Sequence, residues 1–190
     1  MSLDFQGKNI MIEKVSKAVS GDCPKAITDC LRDCLCELMQ DDRISLPACV
    51  FEHQTDHYSR RLVHQDNDLG YSILAMTWGP RQSTPVHDHA GMWCVEAVWH
   101  GQIEVAQYEL MERQDDRYRL ERRTIMRTGV GSAGSLIPPH EYHTITNPDQ
   151  ERPAVTIHIY AGEMDQCCVF SPIESDWYQR HSRELSLDAN

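Results

Sequence analysis

Two histidines separated by one residue, His87-Asp88-His89, are the sharpest chemical signal in this chain. Alternate side chains on an extended strand share a face, so His87 and His89 project together while Asp88 turns away. Two imidazoles placed this way can hold one metal ion. Pro138-Pro139-His140-Glu141-Tyr142-His143 supplies a third further on, as His140 or His143, with Asn147 four residues after His143. Three neutral imidazoles in an otherwise open coordination sphere suit zinc, copper, nickel or iron, and spacing alone does not choose among them. The His-x-His pair is also common among unrelated surface and core histidines. Its setting after Gly79-Pro80 and before Gly101 gives it weight.

A second pattern lies in Ala154-Val-Thr-Ile-His-Ile-Tyr160. Thr156, His158 and Tyr160 alternate with Val155, Ile157 and Ile159, giving one face with a hydroxyl, an imidazole and a phenol and an opposite face that is apolar. Polar groups on an inward strand face must pair; the same ladder could instead lie on a barrel's exterior. Arg60 and Arg61 point to opposite faces of an extended segment, with Tyr58 on the side of Arg60. A guanidinium suits a carboxylate through two parallel hydrogen bonds, although either arginine alone also reads as a solvated charge. Trp78, Trp93 and Trp99 read as packing residues, and His53, His57, His64, His100 and His181 as a solvated set.

Residues from about 9 to 40 repeat apolar positions at helical spacing (Ile10, Met11, Val15, Val19, then Ile27, Leu31, Leu35, Leu38), with a break at Gly21 and a restart near Pro24. From about 58 to 170 short alternating runs are separated by Gly70, Gly79-Pro80, Gly101, the Gly129 to Gly134 stretch and Asn147-Pro148. The expected fold is mainly β, an antiparallel barrel or jelly roll with a small N-terminal helical cap, forming one domain over residues 1–190. Residues 183–190 read as a polar tail.

The length of 190 residues, with 41% hydrophobic and 25% charged content, suits one sizeable core. Twenty-nine acidic against 18 basic residues give a formal charge of −11, which repels phosphate backbones and anionic membranes. Neither nucleic acid nor a membrane is expected as a partner, and a monomer is. With no apolar leader at the start and no apolar run near the roughly 18 residues of a membrane span, the expected location is the cytoplasm. The eight cysteines read as reduced thiols that pack like small apolar residues; Cys30 and Cys34, one helical turn apart, lack the histidines that would make them a metal pair.

The histidine segments resemble the paired cupin motifs G(x)nHxH(x)nE(x)6G and PxG(x)2H(x)3N. His87, His89 and Gly101 match the first, and His143 with Asn147 the H(x)3N half, which favours His143 over His140. Cys94 stands where the cupin glutamate usually falls, and His140 where the second motif has glycine. Beyond these, Tyr58-Ser-Arg60-Arg-Leu62, Trp78-Gly79, Cys94, and Thr156-Ile-His158-Ile-Tyr160 with Cys167 seven residues later are similar to the cysteine dioxygenase family.

That resemblance implies Fe(II) held by His87, His89 and His143, with a small thiol and O2 as substrates, a sulfinate product and no organic cofactor. It further implies a carboxylate clamp at Arg60 beside Tyr58, a catalytic relay of Thr156, His158 and Tyr160, and a possible Cys94–Tyr160 thioether. Threonine at 156 stands where the family has serine. The alternatives are a dioxygenase for another thiol such as 3-mercaptopropionate, or a metal-binding cupin without oxygenase activity; Cys94 could also be a small core residue or a thiolate ligand.

Overall fold

The computed structural model describes residues 2–189. Two helices open the chain, α1 (Lys8–Val19) and α2 (Pro24–Leu38). Pro24 sits in the first turn of α2, where its missing N–H has no intrahelical partner to lose. Met11, Val15 and Val19 of α1 and Leu31, Leu35 and Leu38 of α2 are buried at the spacing the sequence suggested.

Eleven strands follow within the described residues: β1 (Ser59–Asp66), β2 (Tyr71–Trp78), β3 (Val86–His87), β4 (Cys94–His100), β5 (Gln102–Gln114), β6 (Arg117–Gly129), β7 (Ala133–Leu136), β8 (His143–Thr146), β9 (Ala154–Tyr160), β10 (Gln166–Glu174) and β11 (Trp177–Glu184). One sheet has the order β1-β2-β9-β4-β7, and the other closes on itself as β10-β11-β6-β5-β8-β3. The protein is mainly β, with the barrel architecture expected of a cupin. Among the described residues no helix is long and apolar enough to cross a membrane.

The five-stranded sheet is buried on both faces, and its two faces do different work. Ile73 and Ala75 of β2, Val95 and Ala97 of β4, and Val155, Ile157 and Ile159 of β9 pack into one cluster with Met11, Val15, Leu31 and Leu35 of the helices. The intervening residues Leu74, Met76, Trp78, Cys94, Val98 and Tyr160 form a second cluster on the other side. The helices therefore cover the outer face and leave the inner face to the site. Leu35 is fully buried, so its truncation to alanine should cost about 2–5 kcal/mol.

The C-terminal segment corrects the sequence reading. Strands continue beyond residue 170 to Glu184. Of the residues expected to be a polar tail, Arg183 and Glu184 belong to β11, Ser186 and Asp188 bond to Arg60 of the edge strand β1, and Asn190 lies outside the described residues. The Asp188 N–H donates to the Arg60 carbonyl at 2.8 Å, and the Arg60 N–H donates to Asp188 Oδ2 at 2.8 Å. These bonds occupy backbone groups that an edge strand would otherwise leave open. Hydrogen bonding of this kind makes no demand on hydrophobicity, which is why the segment reads as polar. Likewise His53 and His57, though helix-spaced, lie in irregular chain between a short 3-10 turn (Ala48–Phe51) and β1.

Candidate metal centre and its pocket

His87 ends β3, His89 lies two residues on and His143 begins β8; the last pairs directly with His87 across the β3–β8 ladder. One ligand atom from each of these three lies within 4.8 Å of the others. His87 Nδ1 is 3.1 Å from the Pro85 carbonyl and His143 Nδ1 is 2.8 Å from the Glu141 carbonyl. A carbonyl only accepts, so both Nδ1 atoms carry the proton and both Nε2 atoms present lone pairs. His143 Nε2 is buried with no partner among the protein atoms. Burial pushes the pKa of all three rings down, furthest for His89 and His143, which keeps them neutral. Three neutral, converging imidazoles, two of them with their tautomer fixed by a backbone carbonyl, fit a divalent metal. Asp88 turns the other way, and its Oδ1 accepts from the backbone N–H groups of Ala90 and Cys168. His140 is exposed on a turn outside the cluster.

The inner face of β9 stands beside this group. The Trp78 indole N–H donates to Thr156 Oγ1 at 2.8 Å, Thr156 Oγ1 lies 2.8 Å from His158 Nε2, and His158 Nδ1 lies 3.2 Å from the Tyr160 hydroxyl. The indole can only donate, so the threonine hydroxyl accepts there and keeps its own hydrogen, for which His158 Nε2 is the acceptor in reach. Burial pushes the His158 pKa down to about 3, so the ring is neutral and its proton sits on Nδ1. Nδ1–H then donates toward Tyr160, leaving the phenol's own hydrogen for the site. Burial also pushes the Tyr160 phenol well up, which keeps it a donor. Trp78 thus orients the series, a role that the reading of it as packing alone missed. The register of β2 against β9, which brings Trp78 beside Thr156, is not written in local spacing.

Cys94 faces Tyr160 directly across the β4–β9 ladder. It is fully buried, with Sγ 3.9 Å from His158 Nδ1, and burial pushes its thiol pKa well up. The inward face of β4 also carries Glu96, which the sequence reading passed over. A lone acidic residue on the same face as Cys94 in an apolar strand was its signal.

Arg60 and Arg61 are both buried but face opposite ways. Arg61 donates to Thr77 Oγ1 at 3.1 Å and to the Glu52 carbonyl at 3.4 Å. Arg60 donates to the Met164 carbonyl at 2.7 Å and the Ser186 carbonyl at 3.1 Å. It lines a pocket with Tyr58, His87, His158, Tyr160, Cys167 and Arg183. Tyr58 stacks on Trp78 with ring centroids 4.7 Å apart. Arg183, from the segment expected to be a tail, brings a second guanidinium to the pocket wall. Cys167 is a thiol there, its pKa raised by burial to about 11.

The family model for cysteine dioxygenase type I matches residues 48–172. The chain belongs to the cysteine dioxygenase type I family. The match takes in β1 to β9, and with them the histidine cluster and the Thr156–Tyr160 series, and excludes both helices. Cysteine dioxygenase type 1 of Rattus norvegicus is 23% identical over 114 residues, and that of Homo sapiens 21% over 113. In each case the alignment covers 60% of this chain and 55% of the relative, so the chain spans about half the length of the cysteine dioxygenases it matches. Among solved structures, an uncharacterized conserved protein with a double-stranded beta-helix domain from Klebsiella pneumoniae has a TM-score of 0.47 at 16% identity, over 64% of this chain and 85% of that one.

Proposed function

We propose that this member of the family is an Fe(II)-dependent thiol dioxygenase that adds both atoms of O2 to the sulfur of L-cysteine, giving the sulfinate. The observation that carries this reading is the convergence of a three-histidine cluster, an inward hydroxyl-imidazole-phenol series and a buried guanidinium on one pocket. His87, His89 and His143 hold the metal. Bound Fe(II) supplies a centre at which thiolate and dioxygen react.

The chain's own groups bind and orient the substrate. Arg60 commits N–H groups to the Met164 and Ser186 carbonyls, which fixes its plane and leaves the others of its five for a carboxylate. Tyr58, stacked on Trp78, forms the wall beside it. Tyr160 donates its hydroxyl hydrogen to the bound reactants, held in direction by His158, Thr156 and Trp78. Met76, Ile145, Met164 and Val169 line the rest and limit water at the reacting sulfur. All eight cysteines are free thiols, which suits a reducing compartment such as the cytoplasm.

The test is oxygen uptake with quantified sulfinate after iron loading, run on L-cysteine, 3-mercaptopropionate and cysteamine. Uptake with L-cysteine at one O2 per sulfinate is expected. Stoichiometric zinc in the isolated protein, with no uptake on any thiol after iron loading, would overturn the reading.

A further inference from the structure

Glu96 is a buried acidic group for which the proposed reaction has no use so far, and burial pushes its pKa up to about 7. It is 6% exposed, and its Oε2 has no hydrogen-bond partner among the protein atoms. That oxygen lies 3.9 Å from His143 Nε2 and 3.7 Å from His158 Nδ1. These distances are beyond a hydrogen bond, and both imidazoles are neutral. A buried carboxylate without a donor is costly unless a ligand provides one.

The position of Glu96 suggests the ligand. Glu96 pairs with His158 in the β4–β9 ladder, so it enters from the β4 side of the polar face of β9. Arg60 enters from β1, on the far side of β2 and β9 in the same sheet. The face bearing Thr156, His158 and Tyr160 therefore stands between the strand that carries a guanidinium and the strand that carries a carboxylate. Apart from these two, the imidazoles and hydroxyls that meet there are neutral. A guanidinium and a hydrogen-bond-accepting carboxyl group flanking such a face complement a molecule bearing both a carboxylate and an amino group.

We infer that Glu96 accepts a hydrogen bond from the amino group of the substrate and so selects amino-acid thiols over thiols that lack the amine. This deepens the thiol dioxygenase reading and rests on it. Arg60 recognises the carboxylate end, and Glu96 discriminates at the other. A substrate without the amine leaves Glu96 Oε2 buried and unpaired.

The test is anaerobic calorimetric titration of the iron-loaded protein with L-cysteine and with 3-mercaptopropionate, which lacks the amine, alongside the metal content of each sample. Wild type should bind L-cysteine more tightly. Glu96→Gln and Glu96→Leu should both retain iron, weaken L-cysteine binding by about ten- to a hundredfold, and leave 3-mercaptopropionate binding little changed or improved. Equal losses for both ligands, or equal affinities in the wild type, would overturn the inference while leaving the dioxygenase reading in place. Loss of iron from both variants would also overturn it, by making Glu96 a metal ligand. Binding of neither thiol by iron-loaded wild type would remove the thiol reading and this inference together. Glu96→Gln, nearly isosteric with the native residue, keeps the test decisive if Glu96→Leu fails to fold.

Discussion

Cys94 and Tyr160 are cross-strand partners, facing each other in the β4–β9 ladder with His158 within reach of both side chains. Cross-strand neighbours on one sheet face have Cβ atoms about 4.5–5.5 Å apart, close enough for sulfur to meet a phenol ring. Turnover with iron, dioxygen and thiol should therefore yield a Cys94–Tyr160 thioether, with dioxygen as the oxidant that removes two hydrogens. Peptide mapping by mass spectrometry checks it. Cys94→Gly should abolish the joined peptide and keep turnover; unmodified Cys94 and Tyr160 after many turnovers would remove the crosslink alone.

His143 presents a buried, unpartnered Nε2 to the other two histidines, whereas His140 is exposed on a turn. His143→Ala should lose most bound iron, measured by elemental analysis after gel filtration, and His140→Ala should retain it. The reverse result would transfer the ligand role.

Arg60→Gln removes a charged donor from the pocket, and a hydrogen bond to a charged group is worth about 1.5–3 kcal/mol. Efficiency on L-cysteine should fall about ten- to a hundredfold, with a smaller fall for cysteamine, which lacks the carboxylate. Arg61 is engaged with Thr77 and Glu52 on the other face, so Arg61→Gln should reduce thermal stability more than it changes the preference between these substrates. A larger shift in preference from Arg61→Gln would refute the clamp at Arg60.

Trp78→Phe deletes the N–H that fixes the direction of the Thr156–His158–Tyr160 series while keeping an aromatic ring against Tyr58. Turnover number should fall severalfold with less change in KM, because the orientation of the Tyr160 proton is lost and Arg60 is untouched. A pure KM effect would argue that Trp78 acts only through packing.

Both ring nitrogens of His57 face carboxylates, Nδ1 at 2.8 Å from Asp56 Oδ1 and Nε2 at 2.8 Å from Asp188 Oδ1. Only the imidazolium donates to both, and the contacts with Asp188 and then Asp56 raise the His57 pKa. A pKa raised by folding gives a contribution fully present below the ordinary histidine value and lost as pH rises through the folded value. Asp188 also holds the Arg60 backbone. Hydrogen exchange of residues 185–189, corrected for its intrinsic pH dependence, should therefore quicken as pH rises through that value. The effect should be modest because His57 is largely exposed, and His57→Ala should abolish the pH dependence.

The parts of the site legible in the sequence were those written in local spacing. His87 and His89 share a face because strand geometry alternates, and the same rule put Thr156, His158 and Tyr160 together and sent Arg60 and Arg61 apart. The two helices followed from a 3.6-residue apolar period. Relations between strands distant in sequence were set by sheet order and register, which local spacing does not encode. The β2–β9 pairing brings Trp78 to Thr156, the β4–β9 pairing brings Glu96 to His158, and the hydrogen bonds between Asp188 and the Arg60 backbone tie down a segment whose Arg183 and Leu185 line the pocket. Backbone hydrogen bonds leave no hydrophobic trace, and a buried carboxylate looks like a surface one until its neighbours are placed, so only the tertiary structure decided these.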